Sequence, residues 1–248
     1  MRIKRWPHLR DMSLRHKIMT ANFLMVFVPV LLIVILGTII FAGLRFTGTL
    51  RQMELALLFI TKLDLGRVEF HCELTGLYDY MLEQVNRLRT VWTAQGVEIG
   101  FTAAEESGAR TAMALLDREE FTRVLDNLLS NAAKYAGEAD GSIHVEFALQ
   151  TTAQAVRLSC RDHGPGVPEA ELPHLFESFY RVDRSRGEKP GHGLGMAIAS
   201  RIVLGMQGRI WAENATDGGL CIIMEFPRHD VGAEADRETE DIPAVEKG

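Results

Sequence analysis

Asn127, Asn131 and Lys134 recur at i, i+4 and i+7 along the stretch Arg118 to Tyr135, a spacing that puts two carboxamides and an ammonium on one face of a helix. A carboxamide oxygen is the hard donor that Mg²⁺ accepts, and Mg²⁺ fills the rest of its shell with water and phosphate oxygens. Lys134 adds a point charge for phosphate. Further along, Asp162 ends an apolar stretch and precedes Gly164-Pro165-Gly166, a turn in which glycine lets the backbone approach a ligand closely. Gly191, Gly193 and Gly195, with His192 and Leu194 between them, open a helical stretch whose free amides and dipole favour phosphate. Arg181 and Arg186 stand between the two glycine clusters, and a planar guanidinium can grip phosphate oxygens with two bonds. The plainer alternatives are solvated asparagines on an exposed helix face, an ordinary Asp-Gly turn, and solvated loop charges.

These residues need a frame, and apolar periodicity supplies one. Phe121, Val124, Leu125, Leu128, Leu129 and Ala132 follow the core spacing of the helix that carries the amides, so one face packs while its neighbour binds. A second helix is predicted from Leu77 to Gln95, with Leu82, Val85, Leu88 and Trp92 on one face, and a third from Gly193 to Met206. Strands are predicted at Val68 to Leu74, Val97 to Thr102, Thr111 to Leu116, Ile143 to Leu149, Ala155 to Asp162, Gly208 to Glu213 and Leu220 to Phe226. Strands in consecutive pairs with helices between them give an α+β fold, a two-layer sandwich with helices on one face of a mixed sheet. Pro165 to Pro190 is a long connection with little periodicity, the character of a functional lid.

Four segments in this order carry a family resemblance: Asn127-Leu-Leu-Ser-Asn131-Ala-Ala-Lys134-Tyr135, Asp162-His-Gly-Pro-Gly166, Phe176-Glu-Ser-Phe179-Tyr-Arg181 and Gly191-His-Gly193-Leu-Gly195. They resemble the N, G1, F and G2 boxes of the sensor histidine kinase ATP-binding module, in the group that also contains gyrase, Hsp90 and MutL. The resemblance covers roughly residues 64 to 227. It implies ATP and Mg²⁺ as cofactors, Asn131 as the metal ligand with Asn127 beside it, and Lys134, His192 and the Gly191 to Gly195 turn on the phosphates. It also implies Asp162 as acceptor for the adenine amine above Gly164 and Gly166, Tyr135 against the base, and Phe176 and Phe179 as aromatic anchors of the lid. Arg181, Lys134 and Arg186 become the groups that act on the transferred γ-phosphoryl. Where the gyrase branch has a glutamate to position water, this chain has Asn127, which favours a kinase over an ATPase. The resemblance further implies a homodimer, and a response regulator or an acceptor-histidine domain as partner.

The acceptor histidine is harder to place. Thr61 to Arg67 resembles the end of the second helix of the family's dimerisation hairpin, while its histidine-bearing first helix is not recognisable. His71-Cys-Glu-Leu-Thr-Gly-Leu77 only faintly resembles the acceptor box, and the 60 residues between His71 and Asn131 are too few for two long helices before the module. A degenerate or truncated ATP-binding protein without autophosphorylation is therefore the alternative, and a protein-serine kinase or anti-sigma factor of the same fold is a second.

Composition bounds the rest. The net charge of −6 over 248 residues and the absence of a basic stripe with interleaved aromatics exclude nucleic acid as an expected partner. Cys72, Cys160 and Cys221 sit apart in apolar stretches, which reads as buried thiols in a reducing compartment. The 27 residues from Ile18 to Leu44 carry no charge, more than the ~20 a spanning helix needs, so a transmembrane helix is expected at 18–44 behind a basic segment at 1–17. By the positive-inside rule the N-terminus faces the cytoplasm, and a single span would then carry residues 45–248 to the other side. The resemblance instead puts the catalytic module in the cytoplasm, at the inner membrane of a bacterium. The domain reading is completed by a short helix at 45–65, the ATP-binding domain at 66–228 and an acidic disordered tail at 229–248.

Overall fold

The computed structural model describes residues 14–104, 108–136, 142–182 and 192–229, with the side chains of 14–26, 29 and 42–49 outside the description. Two units are described separately, Met1–Leu55 and Ala56–Gly248. Helix α1 runs without interruption over Leu14–Asp64, so the helix expected at 45–65 is not a separate element. Among the described residues, no helix is long and apolar enough to cross a membrane. The expected span at 18–44 is helical in backbone but is not supported as a membrane crossing, and part of it lies outside the described side chains.

In the second unit, alternation of apolar and polar residues builds a five-stranded sheet from β2 (Val97–Ala103), β4 (Ile143–Thr151), β5 (Ala155–Asp162), β6 (Arg209–Asn214) and β7 (Leu220–Pro227). Their order is β2-β4-β5-β7-β6, with β2 and β4 parallel and the remaining neighbours antiparallel, so the sheet is mixed as expected. Register places Phe147 beside Cys160 and Cys160 beside Ile222, and with Val145, Leu149, Val156, Leu158, Met224 and Phe226 these form one buried apolar face. Three helices lie on it: α2 (Leu77–Trp92), α3 (Arg118–Tyr135) and α4 (Gly195–Gly205). Tyr78 of α2 meets Phe101 at 5.8 Å between ring centroids, and Phe121 of α3 meets Phe226 edge-on at 5.5 Å. On the opposite face Glu225 is held between Arg157 and Arg209, whose guanidinium groups lower its carboxyl below the usual range, the Arg157 bond foremost.

The first strand differs from expectation. Val68 to Phe70 and the residues up to Cys72 lie in no regular element; β1 is Glu73–Gly76, and it pairs with β3 (Met113–Leu116) in a separate antiparallel ribbon. Strand-forming residues alone do not make a strand, because pairing needs a partner edge, and here the β3 edge is met only from Glu73 onward. His71 lies in the preceding segment, its backbone N–H donating to Asp117 Oδ2 at 2.9 Å.

Helix α3 matches the predicted boundaries, and all six predicted core residues are buried. Asp117 caps it, its carboxylate accepting the Glu120 N–H at 3.1 Å, a bond that satisfies one of the orphan donors of the first turn. Helix α2 buries Leu77, Tyr80, Met81, Gln84, Val85 and Leu88, so Val85 and Leu88 are core as expected, while Leu82 is exposed and Trp92 half-buried. Of the cysteines, only Cys160 is buried; Cys221 is half-buried and Cys72 exposed. His229, expected in the tail, still bridges to Met113, its N–H donating to the Met113 carbonyl at 2.9 Å; residues 230–248 lie outside the described ones.

Candidate functional site

The first of the four sequence segments is part of α3, and two of the others pack against it. Asn127, Asn131 and Lys134 are half-buried on α3, beside the face that packs into the core. Burial lowers the Lys134 ammonium below its usual pKa, and an anion beside it would offset that loss of solvent. At the start of α4, a Cβ on Gly195 would sit 3.3 Å from Asn127 Oδ1, so the second glycine cluster lies directly on the amide face. At the other end of α3, a Cβ on Gly164 would meet the Ala136 Cα at 2.6 Å, so the first glycine turn packs on the helix C-terminus. Helix α3 therefore positions amides, glycine turn and helix N-terminus in one place.

Asp162 is the last residue of β5 and only 9% exposed. Its Oδ1 accepts from the Gly164 N–H and the Leu220 N–H, both at 3.0 Å. Two backbone donors hold the carboxylate in a fixed rotamer, with Oδ2 left over to accept from a ligand amine. Leaving a ligand donor unpaired here would cost ~1–3 kcal/mol, which makes Asp162 a group that can discriminate one base from another. The Gly164 to Gly166 turn is real in the sense that matters: Gly166 has φ +69, a left-handed conformation that glycine adopts without strain.

The described part of the lid carries structure of its own. A short 3-10 helix covers Glu169–His174, and Leu175 to Tyr180 then folds back toward Gly193. Phe179 departs from the aromatic-anchor expectation, since the residue is 53% exposed. What anchors the lid is its backbone: the Phe179 N–H donates to the Gly193 carbonyl at 2.8 Å, and a Cβ on Gly193 would meet the Tyr180 carbonyl oxygen at 2.7 Å. Phe179 adopts φ +67, uncommon for an aromatic residue and the kind of local strain that a surrounding structure must hold in place. The F and G2 segments are thus pinned together. Phe176 is half-buried, Arg181 is half-buried, and Tyr135 is exposed at the end of α3. Arg186 and Gly191 lie outside the described residues. His192 and Leu194 flank Gly193, Leu194 being buried ahead of α4.

His174 fastens the lid's foot. Its Nδ1 lies 2.7 Å from Glu177 Oε1 and its ring 5.4 Å from that of Tyr180, and the Glu177 hydrogen bond raises its pKa above the usual histidine value. Because the folded value is raised, this contribution is complete below histidine's ordinary pKa of ~6.5 and is lost as pH rises through the raised value. An NMR titration of the His174 imidazole is expected to shift down toward the ordinary value in Glu177→Gln; an unshifted midpoint would contradict the pairing.

The hairpin between β6 and β7 belongs to the site and went unrecognised in the sequence. Arg161 Nη2 donates to Asp217 Oδ1 at 2.6 Å and to the Gly218 carbonyl at 2.9 Å. A Cβ on Gly219 would fall 1.8 Å from the Asp162 carbonyl oxygen. The signal available was the Gly218-Gly219 pair, both at positive φ, but its contact with residues almost 60 positions earlier has no sequence mark.

Comparison with known proteins follows the same outline. Residues 116–230 match the family model described as histidine kinase-, DNA gyrase B-, and HSP90-like ATPase. The chain is 37% identical to the sensor histidine kinase WalK of Bacillus subtilis over 115 residues, covering 45% of this chain and 18% of WalK. It thus spans about a fifth of the length of such curated relatives. Among solved structures, full-length ShkA in complex with AMPPNP aligns with a TM-score of 0.63 at 23% identity, covering 77% of this chain and 39% of ShkA. The mycobacterial sensor histidine kinase MprB aligns with a TM-score of 0.51 at 25% identity, covering 64% of this chain and 99% of the MprB structure.

Proposed function

We infer, for a chain whose residues 116–230 match the histidine kinase-, DNA gyrase B- and HSP90-like ATPase model, that the amide face of α3 binds Mg-ATP and presents its γ-phosphoryl group to a histidine. The observation that carries this reading is the convergence on α3: Asn127 against Gly195 on one side and Ala136 against Gly164 on the other. It sets the amide face between the Asp162 turn and the N-terminus of α4, which would read base and phosphate respectively. The residues fit the cation, because the Asn131 carboxamide is a hard, neutral oxygen donor on the half-buried face, and Mg²⁺ would neutralise charge on the triphosphate. Asp162 Oδ2 would accept the adenine amine, and Lys134, His192 and the amides opening α4 would hold phosphate. Arg181 and Arg186 would act on the γ-phosphoryl as charge partners. Such transfer depends on positioning and electrostatic stabilisation rather than on covalent chemistry by the protein.

The phosphoryl acceptor would be a histidine on a hairpin domain, and a response regulator would take the group onward. Membrane attachment is proposed from the sequence alone, on the uncharged run from Ile18 to Leu44 behind a basic segment, and a cytoplasmic face at a bacterial inner membrane is where ATP would be available to the site. A homodimer is proposed on the same family grounds. Calorimetric titration of the full chain tests the ligand reading. ATP is expected to bind with Mg²⁺ present and to weaken at least ~10-fold when the metal is chelated, since triphosphate charge is then unneutralised. Equal affinity with and without the metal would overturn the Mg-ATP assignment.

A further inference from the structure

The β6–β7 hairpin grips the end of β5 and the loop that follows it at three points. Arg161 is tied to Asp217 and Gly218, and Asp162 Oδ1 to the Leu220 N–H. The third tie is a side chain: Asn214 Oδ1 accepts the Val167 N–H at 2.9 Å while its Nδ2 donates to the Val167 carbonyl at 2.6 Å. One carboxamide thus satisfies both backbone groups of one residue, as a neighbouring strand would, and this pairing fixes which end of the amide is oxygen. The fit is tight. A Cβ on Gly166 would come within 2.8 Å of Asn214 Oδ1, so the chain must pass Asn214 as glycine with φ +69.

The consequence reaches Asp162. Between Asp162 and Val167 the turn is held at its start by the Gly164 N–H on Asp162 Oδ1 and at its exit by Asn214. If the exit is released, the turn gains alternative conformations, the Gly164 N–H leaves Oδ1, and the carboxylate is held by the Leu220 N–H alone, a looser hold on its rotamer. We propose that Asn214 is a positioning residue for base recognition, acting through the Gly164 to Val167 turn to keep Asp162 aimed at the exocyclic amine of the nucleotide. This rests on the reading of the site as one for an adenine nucleotide. Asn214 stands at the surface, where hydrogen bonds compete with water, so its effect is modest and falls on base recognition, not on the phosphates held at the far side of α3.

The test compares affinities of the full chain for ATP and for purine riboside triphosphate, which lacks only the 6-amino group. The unsubstituted chain is expected to prefer ATP by about 10-fold, the value of a hydrogen bond to a charged acceptor. Asn214→Ala is expected to cut that preference to about 2- to 3-fold, by weakening ATP while moving the analogue less than about 2-fold. Asn214→Asp, which keeps the acceptor for the Val167 N–H and loses the donor, should fall between the two and serves as the comparison should the alanine variant fail to fold. A folded variant that weakens both nucleotides equally, or leaves the preference unchanged, overturns the positioning role. A lack of preference in the unsubstituted chain overturns the adenine-site reading itself, and with it the inference.

Discussion

Asn131→Asp is expected to lose Mg-ATP binding by roughly 30- to 1,000-fold, corresponding to ~2–4 kcal/mol for a new like charge about 4 Å from a phosphate at the effective dielectric of a protein surface. The shape of the side chain is conserved, so packing of α3 is untouched: the core residues Leu128, Leu129 and Ala132 lie on the other face. What changes is charge. The carboxamide offers an oxygen to a cation without adding a negative charge beside the triphosphate, and its amino end can still donate a hydrogen bond. A carboxylate does neither of these things. Thermal unfolding of the variant is expected within about 0.5 kcal/mol of the parent, as for a change away from core and caps, and nucleotide titration reads the loss. A stable variant with parental affinity would remove Asn131 from the site.

Gly219→Ala is expected to destabilise the domain by about 3 kcal/mol or more and to abolish adenine recognition in whatever fraction remains folded. Two penalties combine there. The backbone has φ +89, a conformation that costs a residue with a Cβ ~1–2 kcal/mol. The new methyl would also lie 1.8 Å from the Asp162 carbonyl oxygen and 3.1 Å from the His163 Cα, and relief of such overpacking costs ~1–3 kcal/mol through displaced backbone. The backbone that must move is that of the candidate base-reading residue. Gly37, by contrast, has open space around its Cβ position. Chemical denaturation of the variant beside the parent measures the first effect, and unchanged stability would contradict the close approach of the hairpin to the G1 segment.

The parts of this architecture that were legible in the sequence are those written in local periodicity. The α3 boundaries and its buried set Phe121, Val124, Leu125, Leu128, Leu129 and Ala132 follow from a helical repeat, and β5 with Asp162 at its end follows from strict alternation. Residues set by distant partners were not legible. β1 begins at Glu73 because β3 offers an edge there, and the more apolar Val68 to Phe70 has none. Phe179 is exposed because the chain turns through φ +67 to reach Gly193, a conformation its type gives no hint of. Leu82 faces solvent since the stripe of α2 is set by Tyr80, Met81 and Gln84 packing inward. The hairpin tip was missed for the same reason: Asn214 meets Val167 across 47 positions and Leu220 meets Asp162 across 58. The motifs named the candidate ligand-facing groups, while the residues that hold them came from elsewhere in the chain.

Phosphoryl transfer is the claim on which the functional account stands. The measurement that reaches it most directly incubates the full chain with γ-labelled ATP and Mg²⁺, alone and with an isolated acceptor-histidine hairpin from a related kinase, and follows label on each protein. Label on the hairpin is expected, labile to acid and stable to alkali as a phosphohistidine is, and absent with Asn131→Asp. Nucleotide bound by the parent chain with no label on either protein would contradict the kinase reading and leave an ATP-binding protein without transfer activity.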